Sequence, residues 1–164
     1  MYLVNNSLLI LFYLGIFAAL RKVSFSASLI ALVLGLVGIA AYYASNTAFE
    51  LLSLSSQFAT AAADTVRLQL LAAGRVMLET YKGTSFDVYY VLNGVTLLIL
   101  AVVMLRTDVF NKVTSSFALA SGILMTIPST AGAVGLVFSL LSLIPWGIFS
   151  ILAALRLLKI IGKY

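Results

Sequence analysis

The sequence predicts an all-α polytopic bundle of about five transmembrane helices with one outer amphipathic helix, on three observations. Apolar residues make up 63% of the chain and charged residues only 9%, against about 25% charged in an average soluble domain. A water-solvated surface cannot be built from so few charges. Five stretches come near the length of roughly 20 apolar residues needed to cross about 30 Å of hydrocarbon at about 1.5 Å per residue. The basic residues fall at the ends of these stretches rather than in one patch, which is a pattern of membrane topology and not of nucleic-acid binding. Residues 1–164 are expected to form one helical domain.

The first span, residues 2–20, has Asn5, Asn6 and Ser7 at its outer end and is closed by Arg21 and Lys22. No basic segment precedes it and two basic residues follow it, which argues against a signal peptide. The second span, 24–44, is uncharged and ends in Tyr42 and Tyr43, an aromatic pair suited to the headgroup boundary. The character then changes, and seven charged residues lie between Glu50 and Asp87. Segment 64–81 intersperses Arg67, Arg75 and Glu79 among Val66, Leu68, Leu70, Leu71, Met77 and Leu78, as an amphipathic helix does. Asp64 is its expected N-cap and Gly83 its stop. Residues 49–63 are helical by propensity but weakly periodic, and either extend the second span or pack back on it.

The third span is 86–105, closed by Arg106. The fourth, 113–127, is short for a crossing and ends at Pro128; the fifth, 132–155, is followed by Arg156, Lys159 and Lys163. A re-entrant hairpin made by the fourth and fifth segments is the competing reading. With five crossings, Arg21, Lys22, Arg106, Lys112, Arg156, Lys159 and Lys163 share one side, leaving Arg67, Arg75 and Lys82 on the other. The positive-inside rule then sets the N-terminus outside and the C-terminus in the cytoplasm, across a prokaryotic plasma (inner) membrane.

The chain has no cysteine and no histidine, which removes disulfides, the usual zinc sites, His-ligated haem, thiol catalysis and histidine acid–base chemistry. Neither a phosphate-binding glycine loop, a serine elbow nor an HExxH pair occurs. No catalytic residue, cofactor or metal is assigned, and an enzyme is not expected. A carboxylate catalyst on the outer face would need at least two of Glu50, Asp64, Glu79 and Asp87 to converge, and their spacing does not bring them together.

An ionisable group in hydrocarbon is the usual mark of a proton relay or ion-coupled transporter, and the cores of the five spans contain none. The candidate polar cavity is therefore built from neutral groups near one carboxylate: Asp87 at the mouth of the third span, Asn93 and Thr96 deeper in it, and Ser139 and Ser142 in the fifth. Pro145 is the candidate hinge. At about 100° per residue, Asn93 and Thr96 share a face and both point away from Asp87. The structural reading of the same residues is that Asp87 caps its helix after Gly83, Thr84 and Ser85, that Asn93 bonds a neighbouring helix, and that Pro145 only bends its span. Gly35 and Gly38, and likewise Gly132 and Gly135, allow close helix contact.

Three groups of residues carry a resemblance. Tyr89-Tyr90-Val91-Leu92-Asn93-Gly94 opens a span, Met104 to Lys112 forms a basic turn, and a small-residue helix through Ser121-Gly122-Ile123-Leu124 leads to Ser142-Leu143-Ile144-Pro145-Trp146 and a basic tail. Over residues 72–159 the chain resembles a family of prokaryotic polytopic integral membrane proteins grouped under a domain of unknown function. The resemblance implies a helix bundle and no assigned activity or site. Members look like six-span proteins, so a chain with five spans corresponds to their last five, as a shortened member or a fragment.

The expected function is that of a non-enzymatic accessory or scaffold component. Membrane lipid surrounds it, the amphipathic 64–81 helix either lies flat on the outer leaflet or docks a protein partner or second copy, and nucleic acid is not expected. The alternative is a small transporter, channel or lipid-binding protein with a polar cavity between the third and fifth spans. A continuous polar crevice there favours transport, and a filled, dry core favours scaffolding.

Overall fold

In the computed structural model, which describes residues 2–162, every regular element is an α-helix. Seven helices follow in order: α1 (Tyr2–Leu20), α2 (Phe25–Ser45), α3 (Ala48–Thr60), α4 (Asp64–Lys82), α5 (Thr84–Leu105), α6 (Lys112–Leu124) and α7 (Gly132–Ile161). Four helical stretches are long and apolar enough to cross a membrane, namely Leu3–Leu20, Phe25–Thr60, Asp64–Leu105 and Gly132–Ile161. The second and third of these include α3 and α4. This is the membrane-type all-α bundle that the composition predicts.

Five helices close a ring, α1 against α2, α2 against α5, α5 against α6, α6 against α7, and α7 back against α1. Large apolar side chains cover the outside of the ring, among them Leu11, Val33, Val102, Leu140 and Ile144. Such a surface is stable only in hydrocarbon, where association of helices comes from close packing and interhelical hydrogen bonds rather than from a hydrophobic drive. The interior accordingly packs Ile16, Leu20, Ile39, Leu97, Met104 and Phe149 with small residues such as Ala31, Ala101, Ala118 and Ala153. The rings of Phe12 and Phe149 meet edge to face, 5.9 Å apart, where α1 and α7 run side by side.

Glycine sets how closely the helices approach. A Cβ on Gly35 would stand 2.8 Å from the Tyr13 ring, and one on Gly38 would stand 2.7 Å from Asn93 Nδ2. On the opposite flank of α5, a Cβ on Gly94 would stand 3.0 Å from that of Met125, and one on Gly122 would stand 3.0 Å from the Gly94 carbonyl. The expected packing role of Gly35 and Gly38 is thus a matter of room for one aromatic ring and one amide.

The fourth expected span is shorter than 113–127. α6 has 13 residues, about 20 Å at 1.5 Å per residue, and does not match the length of its neighbours. Its N-terminus is nonetheless at the same end of the bundle as Arg156, and the chain beyond it reaches Asp87 at the start of α5. Residues 106–131 therefore run from one end of the bundle to the other, with the last stretch as non-helical chain. Backbone groups of the irregular stretch are met locally, Thr126 N–H donating to Ile123 O at 3.2 Å and Ala131 N–H to Pro128 O at 3.1 Å. Gly132, at φ +62°, turns the chain into α7 in the left-handed region that glycine tolerates.

Residues 46–63, ambiguous in sequence, form a break at Asn46 and Thr47 and then α3, which pairs with α4 as a hairpin at the Asp87 end of the bundle. Leu51, Leu54 and Phe58 face Leu70, Leu71 and Leu78 across it, and the Thr47 hydroxyl ties its base to Met77 O at 3.2 Å. The amphipathic helix starts at Asp64, but its N-cap is Ala63 rather than Asp64. Gly83 ends it as expected. α7 extends beyond residue 155 to Ile161, because the Arg156–Lys159 segment keeps an apolar side. Lys163 lies outside the described residues.

Replacing Gly38 by Ala forces a methyl against the buried Asn93 amide and is expected to cost about 1–3 kcal/mol. Gly74→Ala meets nothing within 4 Å and should be neutral or stabilise by up to about 1 kcal/mol through helix propensity. Thermal unfolding in detergent distinguishes them, and equal midpoints for the two variants would contradict this packing.

Candidate functional site

α5 separates the predicted polar residues onto two flanks, as its helical period requires. On the flank facing α1 and α2, Tyr13 Oη donates to Asn93 Oδ1 at 2.5 Å, and Asn93 Nδ2 donates to the Tyr89 carbonyl at 2.8 Å. One turn further, Thr96 Oγ1 donates to Ala31 O of α2 at 3.1 Å. Both Asn93 and Thr96 are buried. Their hydrogen-bonding groups thus join α1, α2 and α5 instead of facing an open crevice.

The other flank looks to α6 and α7. Tyr90 Oη and Ser142 Oγ are 2.7 Å apart, and Ser142 Oγ also reaches Ser139 O at 2.8 Å. Ser139 contributes this carbonyl, and its side chain is only partly buried. Ser121 Oγ donates to the Ser142 carbonyl at 3.4 Å. The five candidate cavity residues are therefore split: Asn93 and Thr96 on one side of α5, Asp87, Ser139 and Ser142 on the other. Pro145 is accommodated within a continuous α7; lacking an N–H, it leaves the Leu141 carbonyl without its helical donor.

Asp87 does not cap α5. That helix begins at Thr84 with Gly83 in the capping position, and the Asp87 carboxylate instead accepts from the hydroxyls of Ser129, at 3.3 Å, and Thr130. It holds the irregular α6–α7 connection against the start of α5 and borders a shallow groove with Val88, Val91 and Leu92. Asp64 is at the far tip of the hairpin beside Arg67, 3.9 Å away, separated from Asp87 by the whole of α4. Among the described residues no group of three or more acidic, His or Cys side chains could hold a metal.

A larger concavity lies at the opposite end of the ring, between the C-terminal turn of α5, the α5–α6 loop and the C-terminal part of α7. It measures about 750 Å³ and is lined by Arg106, Lys112, Arg156 and Lys159, with Asp108 as the one acidic residue. The loop is held rigidly: Phe110 is 1% exposed, Asn111 Oδ1 caps α6 by accepting from Thr114 N at 2.8 Å and Thr114 Oγ1 at 2.6 Å, and Arg156 donates through Nε to Val109 O at 2.5 Å and through Nη2 to Asp108 O at 3.4 Å. A second, apolar groove of about 570 Å³ shares Arg106 and follows Val102, Ile99 and Leu98 up α5 beside Val23 of the α1–α2 turn. The turn bearing Arg21 and Lys22 and the ends of α5 and α7 thus share one end of the bundle.

Sequence reasoning registered these cations singly, as markers of span ends. The local signal that could have grouped some of them is the spacing of Leu152, Leu155, Arg156 and Lys159, which puts two cations and two leucines on one helix face. Their meeting with Arg106 and Lys112 is a tertiary fact. No family model matches the chain, and no curated protein and no solved structure shows significant similarity to it. Its function is therefore argued from its own residues.

Tyr13→Phe leaves Asn93 Oδ1 without its donor and should destabilise the protein by about 0.6 kcal/mol, up to roughly 1.7, the range of interhelical hydrogen bonds in membranes. In an Asn93→Leu background the same change should cost little. A double-mutant cycle by thermal denaturation checks this, and strictly additive effects would show that the pair is not coupled.

Proposed function

We propose that this chain is a non-enzymatic accessory or scaffold protein of a prokaryotic plasma membrane that self-associates through its α3–α4 hairpin. The observation that carries the reading is the hairpin itself, in which no residue of either helix is buried. One stripe of α3, Leu51, Leu54 and Phe58, is spent on α4. A second stripe, Phe49 and Leu52, remains exposed, as do Leu68 and Val76 of α4. Two helices cannot enclose both stripes, whereas four can, by packing a and d type positions around a shared core.

Charge favours a second copy as the occupant. The hairpin bears Glu50, Asp64 and Glu79 against Arg67, Arg75 and Lys82, so two copies meet without net like-charge repulsion and with ion pairs available at the rim. The interior supports scaffolding over transport, because Asn93, Thr96 and Ser142 bond neighbouring helices. The concentration of Arg21, Lys22, Arg106, Lys112, Arg156 and Lys159 at one end supports a cytoplasmic C-terminus and an outer hairpin by the positive-inside rule.

The chain lacks cysteine, so single-cysteine variants report cleanly. Leu52→Cys should give a disulfide-linked dimer in native membranes under mild oxidation, while Ile144→Cys on the lipid-facing side of α7 should not. Absence of dimer at Leu52, or equal dimer at both positions, would sink the self-association. The same two-sided logic tests orientation: a membrane-impermeant maleimide should label Ala62→Cys, in the exposed turn between α3 and α4, in intact cells and Lys112→Cys only after permeabilisation. The reverse pattern would invert the topology.

A further inference from the structure

We propose that the basic concavity at the end of the ring binds a phosphate ester, presented as the headgroup of an anionic phospholipid whose acyl chain lies along the adjoining α5 groove. The positive-inside rule explains why cations lie on this side, and the helix dipole explains why Arg106 and Lys159 suit the ends of α5 and α7. Neither explains why four cations from three separate elements line one pocket that contains only Asp108 as counter-charge.

Among the described residues none of these four forms an ion pair, and the side chains of Arg106, Lys112 and Lys159 make no hydrogen bond. Arg156 is partly engaged. Its Nε and one Nη2 hydrogen serve the Val109 and Asp108 carbonyls, leaving the rest of the guanidinium free to donate. A guanidinium already fixed by the loop presents its remaining donors without further ordering, and its planar fork matches two phosphate oxygens. Neighbouring like charges repel more strongly the less water surrounds them, so an anion seated among them relieves the repulsion as well as bonding to them.

The lipid, rather than a soluble phosphate, follows from what adjoins the cations. Leu105, Leu152 and Leu155 share the pocket, and Arg106 is common to it and to the groove lined by Leu98, Val102 and Val23. A free anion has no use for either, whereas a phospholipid has a charged head and an apolar tail in this order along the bilayer normal. Basic pockets between helices on the cytoplasmic side are where anionic headgroups are expected to settle. The inference requires that the chain reside in a bilayer but is independent of the hairpin's self-association.

The test is native mass spectrometry of the full chain in a neutral detergent, titrated with phosphatidylglycerol and with phosphatidylcholine of the same acyl composition. The wild type should retain phosphatidylglycerol in preference. At about 1 kcal/mol, or fivefold, per cation, Arg106→Gln/Lys159→Gln should weaken retention about 25-fold. Arg21→Gln/Lys22→Gln removes the same charge from the same end outside the pocket and should leave retention unchanged. If the pocket double variant does not fold, the exposed Lys112→Gln carries the test with an expected loss of about fivefold. Equal retention of the two lipids, or an equal loss from the Arg21 and Lys22 pair, would overturn the site. Displacement of the lipid by millimolar inorganic phosphate, with saturable binding of phosphate alone, would overturn the lipid as the source of the phosphate group.

Discussion

Inside a bilayer a side-chain amide has no water to turn to, so the position of Asn93 near the middle of α5 constrains the helices around it. Its carbonyl must find a donor and its NH₂ an acceptor. The structure supplies Tyr13 from α1 and the Tyr89 carbonyl from the preceding turn. That arrangement demands space, and Gly35 and Gly38 provide it by letting α2 approach the ring of Tyr13 and the amide of Asn93 within the distance a methyl group would occupy. Spacing, register and rotation of α1, α2 and α5 are thereby set together. The opposite flank repeats the principle with Tyr90, Ser142 and Ser121, and with glycines 94 and 122 where α5 meets α6. Both flanks use small residues for approach and hydroxyls or amides for specificity, the combination expected where apolar burial no longer discriminates between packings.

The parts of this fold that were legible in the sequence are those governed by a local period or by solvent. Uninterrupted apolar length marks α1, α2, α5 and α7, and the 100° step separates Asn93 and Thr96 from Asp87 around α5. Gly83 was legible as a stop because glycine favours a helix end. The role of Asp87 was not, because its partners, Ser129 and Thr130, are more than forty residues away and a carboxylate near a helix start looks locally like a cap. α3 was obscured by its two apolar stripes, which blur the single-sided period that identifies an amphipathic helix.

The fourth span illustrates a different limit. Hydropathy counts residues, and residues 113–127 barely suffice as a straight helix. In three dimensions the required height is reached by changing conformation at Met125, against Gly94, and continuing as irregular chain to the level of Asp87. Such backbone is tolerated because its amides are bonded within their own turns and because α5 shields one side. The candidate site was legible only as a set of isolated residues. Asn93, Thr96 and Ser142 are legible as polar groups in apolar helices and hence as candidates for lining a cavity, but the sequence does not reveal that each bonds a neighbour. The basic concavity is legible in sequence only as topology, since its four cations come from positions as far apart as Arg106 and Lys159 and only the closed ring brings them together.

Arg156 gives the assembly of this molecule a sequence in time. The α5–α6 loop leaves the ribosome well before the residue that pins it, 47 positions downstream of Val109. Until α7 is made and laid beside α1, the carbonyls of Asp108 and Val109 lack the Arg156 donors, and Arg106 and Lys112 are not yet gathered with Arg156 and Lys159. Closing the ring and completing the cationic end are consequently one event, which waits for α7. A polypeptide halted before Arg156 would carry α1 to α6 and still lack the clasp that fixes their order.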